Sequence, residues 1–350
     1  MGLVKQSLRN ILQRSGLHRV CSPCNQGPAA LFYHGVETEI ADSRVQLVQM
    51  PLARFEKEIR YLKHRFEIIS LGDLFQGILS GSGLNRRQLV LTFDDGYENL
   101  VQNVAPLLKS LKLPFAVFIS TGQVDEGLRF PSYYLRACLF HGGLERLKMP
   151  SLGQEFKLQS EQDILKALRV IRVAMETSPH SQVMAIVKDL RHALPPERWQ
   201  ELDEFFSSER PLDWAQVEEL SQAGAVIGSH GHDHTLLHQR QPPSEIQRQL
   251  SLSQRLITEK VGMCSFISYP RGTVSDLCAH TIDSAEKLGY LMGFTALFAE
   301  IAHPPHPLLL PRLTSPDPLG MDLSGLAYVL STRYRLSGEY HKACAKIMSR

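Results

Sequence analysis

The stretch Leu89–Asn99, LVLTFDDGYEN, decides how this chain is read. Leu89 to Phe93 run without a charge and stop abruptly at Asp94-Asp95-Gly96. An apolar run with no alternation reads as a strand buried on both faces, as in parallel sheets. Two adjacent carboxylates at a strand end repel one another. Solvent tolerates them in a turn, for which Asp-Gly is a common pair. A bound cation would neutralise them instead. Taken alone, the stretch leaves both readings open.

A second stretch, IGSHGHDHTLLH (Ile227–His238), holds four of the chain's fourteen histidines. The residues before it, Ala225–Ser229, read as a strand running into His230. In α/β folds ligand sites gather at the carboxyl ends of strands, so Asp94/Asp95 and these imidazoles can meet there. Two His and one Asp, with positions left for water, make a catalytic metal site. A helical turn after His230 would put His230 and His234 on one face. An extended segment would align His230, His232 and His234. His234 and His238 are also four apart, so a second pair competes with the first.

Working outward, short β-rich runs alternate with helical periods. Strands are expected at Ala29–Tyr33, Phe66–Ser70, Gln88–Phe93, Phe115–Ser120, Ala225–Ser229, Ser265–Tyr269 and Tyr290–Phe294. Helices are expected at Leu52–Lys63, Asn99–Leu111, Ser160–Thr177, Ser181–Ala193, Asp213–Ala223, Pro243–Lys260 and Thr281–Leu288. Asp213 is a candidate N-cap and Gly224 a candidate stop. The alternation argues for a parallel sheet or a barrel. From about 125 to 211 helical periods continue but no convincing strand appears, which predicts a helical insertion beside the sheet.

Composition narrows the class. The 350 residues are 43% hydrophobic and 21% charged, enough to bury a sizeable core. Net charge is +2, so nucleic acid is not an expected partner. Among six cysteines only Cys21 and Cys24 are suggestively spaced. They lie in a Pro/Gly-rich linker without a second pair, and the bland reading is preferred. No apolar run approaches the roughly 18 residues of a membrane span. The first 20 residues lack the apolar stretch of a signal peptide, so a cytoplasmic location is expected. Residues 1–28 are expected to form an amphipathic helix and linker. The helix packs on the domain or associates weakly with a membrane surface, which would place the protein at the inner membrane face. Residues 325–350 read as a basic helical tail.

The motifs resemble a known family. TFDDGY (Thr92–Tyr97) resembles the first motif of the polysaccharide deacetylases, carbohydrate esterase family 4. SHGHDH (Ser229–His234) resembles the second, with Gly231 where Ser or Thr is usual. SYPRG (Ser268–Gly272) resembles the third. LFYHGV (Leu31–Val36) resembles the N-terminal strand of the poly-N-acetylglucosamine deacetylase branch, and LLLPRLT (Leu308–Thr314) fits the same group. The resemblance covers residues 29–125 and 212–315.

The resemblance implies an α/β fold, a distorted (β/α) barrel of about seven parallel strands spanning 29–324, with the helical insertion at about 125–211. It assigns Asp95, His230 and His234 to a divalent metal and Asp94 to the catalytic base. Zinc is the default for a His₂Asp site, and Co, Ni or Fe would also suit it. It assigns His34 as general acid and places the Arg271 backbone N–H at the oxyanion. Arg312 is the candidate for holding Asp94 ionised, and with Tyr97, Tyr269 and Pro270 it is grouped as substrate-binding. Without a hydroxyl at 231, bracing of the metal loop falls to His232 or Asp233. His238 is expected on a helix surface or in packing. The implied activity is metal-dependent removal of the N-acetyl group from an amino sugar in a polysaccharide, oligosaccharide or lipid-linked glycan, releasing acetate. The alternatives are a metal-dependent amide hydrolase on a small non-sugar substrate, which Arg271 would suit if that substrate is anionic, and an inactive carbohydrate-binding relative.

Overall fold

The computed structural model describes residues 27–301, 306–315, 319–320, 322–332 and 337–349. The N-terminal helix expectation, Cys21 and Cys24 lie outside the described residues.

Seven parallel strands form the sheet: β1 (Ala29–Tyr33), β2 (Glu67–Ile68), β3 (Gln88–Phe93), β4 (Ala116–Ile119), β5 (Val226–Ser229), β6 (Phe266–Ser268) and β7 (Met292–Phe294). Their order is β1-β3-β4-β5-β6-β7, with β2 beside the first half of β3. All seven fall where the sequence places them, β1 and β3 with the expected bounds and the other five shortened at their ends. β3 is buried along its whole length, because sheet neighbours and helices cover both its faces. The segment 310–313 joins the two edges. Leu310 bridges Phe294 of β7, and Leu313 bridges Leu31 of β1. The sheet thereby curls into a barrel, and Arg312 rides on the joining segment.

The helices are α1 (Leu52–Arg65), α2 (Leu71–Ser80), α3 (Ala105–Ser110), α4 (Thr121–Glu126), α5 (Pro131–His141), α6 (Glu161–Thr177), α7 (His180–His192), α8 (Pro196–Phe205), α9 (Trp214–Gln222), α10 (Pro243–Val261), α11 (Ala279–Lys287), α12 (Ser324–Thr332) and α13 (Ser337–Met348). The expected helix Asn99–Leu111 divides. Its first part, Leu100–Val104, is a π-turn, and α3 follows. Asp213 caps α9 through a capping box with Gln216, and Gly224 takes φ 97° just past its end. Among the described residues no helix is long and apolar enough to cross a membrane.

The insertion carries one correction. Arg146–Met149 and Gln154–Lys157 pair as an antiparallel hairpin within a segment expected to lack strands. Leu147, Met149 and Phe156 alternate inward while Arg146, Lys148 and Glu155 face out. That period-2 pattern is too short to outweigh the helical periods around it. The hairpin and helices α5 to α8 share a hydrophobic cluster of their own, including Tyr133, Ile171, Leu190 and Phe206.

Candidate active site

The carboxyl ends of four strands supply the site. His34 follows β1, Asp94 and Asp95 follow β3, His230 follows β5, and Arg271 comes three residues after β6. All of them line one cavity of about 320 Å³, together with Tyr97, His234 and Arg312. Helices α5, α6 and α7 of the insertion form another of its walls.

Asp95 Oδ1 lies 3.3 Å from His230 Nε2 and 3.2 Å from His234 Nε2. The ligand atoms of the three residues all fall within 4.8 Å of one another. Nδ1–H of His230 donates to the Ser268 carbonyl at 2.7 Å. That bond fixes the tautomer and turns the Nε2 lone pair toward Asp95. Asp95 Oδ1 is buried without a hydrogen-bond partner. A buried carboxylate oxygen lacking a donor is costly unless a cation takes that place. Two imidazole nitrogens and a carboxylate suit a divalent transition metal.

The histidine pair meets through neither of the two expected geometries. Residues 231–236 form neither helix nor strand. The chain turns through positive φ at Gly231 (76°) and His234 (52°). Asp95 (73°) and Arg271 (57°) share that left-handed conformation. Three of the four described non-glycine residues with positive φ therefore sit in this site, as strained functional loops often do.

Gly231 is explained by the same geometry. A Cβ there would meet only ordinary contacts, at 3.6 Å from Gln249 and 3.7 Å from Pro270. The constraint is φ, not space, and glycine is the residue that tolerates it. The loop is braced from α10 instead. Gln249 Oε1 accepts from the N–H of His232 (3.0 Å) and of Asp233 (2.7 Å). Its Nε2 donates to Asp233 Oδ2 at 2.8 Å. Asp233 also pairs with Arg248, which reaches Glu245 as well. His180, at the start of α7, sits 3.5 Å from Asp233 and bonds Thr235 Oγ1 at 2.8 Å. His180, Asp233 and Glu245 form a second potential ligand group. Arg248 and Gln249 Nε2 each contact both of its carboxylates, so it reads as an ion-pair clamp between insertion and metal loop. His232 turns away to Thr121 Oγ1 at 2.8 Å. His238 is buried in a turn, where its Nδ1 accepts from the Arg240 N–H at 3.2 Å.

Arg312 grips Asp94. Its Nη1 donates to Oδ1 at 2.8 Å and its Nη2 to Oδ2 at 2.6 Å. Ser268 Oγ donates to Oδ2 at 3.1 Å. The guanidinium is fixed in turn by Thr295 O and Thr92 Oγ1, with Phe32 beneath it at 4.5 Å. A carboxylate offers about four lone-pair positions. Three are used, leaving one on Oδ1. Burial would raise the Asp94 carboxyl, but the Arg312 charge, aided by His230, outweighs it and holds the group below its ordinary value. Asp95 is likewise pushed up by burial and pulled well down by His234 and His230. His230 is pushed down by burial and pulled up by Asp94 and Asp95, with a net rise. His34 is lowered, because burial outweighs the same two carboxylates.

The remaining expected residues divide. Tyr97 borders the cavity, with its ring tilted on Phe130. Tyr269 does not border it. It is fully buried in the core, and its hydroxyl approaches Gly293 of β7. Pro270 packs against the Gly231 loop rather than the cavity. Both leave the expected substrate wall, because Tyr269 continues the inward-facing register of β6. Arg271 borders the cavity, but its guanidinium pairs with Glu176 at 2.6 Å and Asp276 at 3.3 Å. Its backbone N–H makes no hydrogen bond among the described residues. Glu209 was not anticipated. It borders the cavity, is 3% exposed and accepts from Gln49 Nε2 at 3.1 Å. Burial pushes its carboxyl up to about 8, the Gln49 hydrogen bond opposes this, and nearby Asp95 adds to it. Nothing in the local sequence SSER marks it.

Fold and site together define a hydrolase on a (β/α) barrel. Residues 82–293 match the family model for polysaccharide deacetylase. A 99-residue stretch is 30% identical to the poly-beta-1,6-N-acetyl-D-glucosamine N-deacetylase of Escherichia coli K12, covering 28% of this chain and 14% of that protein. This chain thus spans only a small part of the curated relatives it matches. The fold is similar to that of Streptococcus pyogenes deacetylase PplD, solved with acetate, at TM-score 0.56 and 14% identity over 89% of this chain and 99% of that one. IcaB from Ammonifex degensii is similar at TM-score 0.54 and 16% identity, over 88% and 98% of the two chains. The chain belongs to the polysaccharide deacetylase family.

Proposed function

We propose that this chain removes the N-acetyl group from an amino sugar of a glycan, with a divalent metal, releasing acetate. The observation that carries the reading is the Asp95/His230/His234 cluster beside a carboxylate, Asp94, held ionised by Arg312. The name of the matched E. coli relative supports a poly-N-acetylglucosamine type of substrate. Zinc is the first candidate for a His₂Asp set, with Co, Ni or Fe as alternatives.

A metal held by Asp95, His230 and His234 would supply Lewis acidity, activating a water and polarising the acetyl carbonyl. Asp94 is the general base. Its free lone-pair position on Oδ1 accepts the proton of the attacking water, and Arg312 with Ser268 fixes the carboxylate's orientation. The Arg271 backbone N–H is available to the developing oxyanion. The leaving amine needs a proton. His34 rests neutral, since burial lowers it, so the proton it delivers is one taken up during the reaction.

Acetate release from N-acetylglucosamine oligomers should require added divalent metal, stop with chelator and be lost in Asp94→Asn. Undiminished turnover in Asp94→Asn would sink this mechanism.

A further inference from the structure

The cavity at the barrel mouth has a second end whose chemistry the deacetylation step does not use. Three arginines border it: Arg136 from α5, Arg172 from α6 and Arg271 after β6. Two carboxylates serve them. Glu176 Oε1 accepts from both Arg271 (2.6 Å) and Arg172 (3.2 Å), and Asp276 reaches Arg271 at 3.3 Å. Arg136 donates to the Arg44 carbonyl at 2.8 Å and has no carboxylate partner among the described residues. The charge of Arg44 itself is taken by Asp42. Burial lowers Arg136, and the like charge of Arg172 lowers it further. Three guanidinium groups at one end of a concave site share two carboxylates, which leaves that end net positive and suited to an anion.

Size adds a second constraint. The cavity, about 320 Å³, lies at the low end of the roughly 300–1,000 Å³ range of small-molecule sites. Insertion residues Leu135, Met175, Val183 and Met184 line it opposite the barrel. The interior of an extended polymer needs an open groove.

We infer that the Arg136–Arg172 end is an anion subsite, and that the substrate is a short N-acetylated amino sugar bearing a phosphoryl or carboxylate group. The acetamide then reaches Asp95, His230 and His234 while the anion meets the planar guanidinium groups, which match such oxygens in pairs. Arg271, neutralised by Glu176 and Asp276, shapes the wall between the two ends. This inference rests on the deacetylase reading of the same cavity.

Calorimetric titration separates the two. The probes are N-acetylglucosamine, its neutral β-linked tetramer, N-acetylglucosamine 1-phosphate, an alkyl phosphodiester of the same sugar, and an N-acetylated amino uronic acid. Each is titrated into metal-loaded wild type and into Asp94→Asn. At least one anionic probe should bind about tenfold or more tightly than both neutral ones. The arm that does so identifies a free phosphate, a phosphodiester such as a lipid link, or a carboxylate as its source. Arg136→Gln should bring that probe to within about twofold of the neutral sugar. Arg136→Lys should keep much of the preference and report that the fold survives. Equal binding of neutral and anionic probes in wild type, or a preference that persists in Arg136→Gln, overturns the subsite. Parallel acetate assays keep the failures apart. Anion preference without acetate from any probe would refute the deacetylase reading alone. Asp94-dependent acetate from the neutral tetramer, unchanged in Arg136→Gln, would refute the subsite alone.

Discussion

Arg312 lies 218 residues from Asp94 in the chain, yet it holds both oxygens of that carboxylate at 2.8 and 2.6 Å. Both side chains are almost fully buried. Breaking a buried pair from one side strands an unpaired charge, at a cost of about 3–5 kcal/mol. Arg312→Gln should therefore lower unfolding free energy by about that much in denaturant titrations. Asp94→Asn/Arg312→Gln should recover part of the loss. The Asp94 carboxyl is depressed in the folded state, so its contribution is present above the ordinary carboxylate pKa and lost as pH falls through the folded value. The pair mutants should lose that acid-side slope. Equal stability of Arg312→Gln and wild type would show the pair to be energetically idle.

Metal binding should release protons. The carboxylates raise the His230 imidazole above its ordinary value, so without metal the ring keeps its proton to higher pH than a free imidazole. Coordination needs it neutral, and affinity should weaken as pH falls. Calorimetry in buffers of different ionisation enthalpy would show the released protons. Zinc should raise the melting temperature of wild type by mass action and leave Asp95→Ala unmoved. His232→Ala, whose ring bonds Thr121, should respond like wild type.

Glu209 should make stability fall with rising pH. Its folded carboxyl titrates at about 8, while an unfolded glutamate titrates near ~4.3. Between these values the native state holds a proton that the unfolded state has released, so stability declines across that window. The full effect is on the order of a few kcal/mol. Glu209→Gln keeps the carbonyl that Gln49 donates to and removes the titration. It should melt higher than wild type at pH 8, with the gap closing toward pH 5. A gap independent of pH would assign its effect to packing.

The metal loop should depend on Gln249, which braces it from outside. Gln249→Ala removes the acceptor shared by two backbone N–H groups. Metal affinity should fall about 10–100-fold, the usual cost of losing a group that supports the ligands. Gly231→Ser would restore the hydroxyl expected at that position but force a side chain onto φ 76°. It should destabilise by about 1 kcal/mol rather than strengthen the loop. Tighter metal binding in Gly231→Ser would overturn the backbone explanation.

Strands were the most legible part of the chain. Runs such as Gln88–Phe93 are uncharged and dominated by Leu, Val and Phe without alternation, a pattern that suits a doubly covered parallel strand. The hairpin at Arg146–Lys157 escaped because four-residue strands carry little periodicity. Asp94, Asp95, His230 and His234 were legible because polar residues crowd abruptly after apolar strands. Tyr269 misled for the converse reason. Next to a site motif, an inward tyrosine and a site-facing one look alike in sequence.

By itself, then, the sequence determined the seven strands, the helices between most of them and which strand ends carry the candidate site residues, since these follow from local pattern. Tertiary structure alone decided who meets whom there. The grip of Arg312 on Asp94, the brace from Gln249, the burial of Glu209 against Gln49 and the bond from Arg136 to the Arg44 carbonyl all join distant segments. Each depends on desolvation and on contacts that exist only once the sheet has curled and the insertion has closed over its mouth.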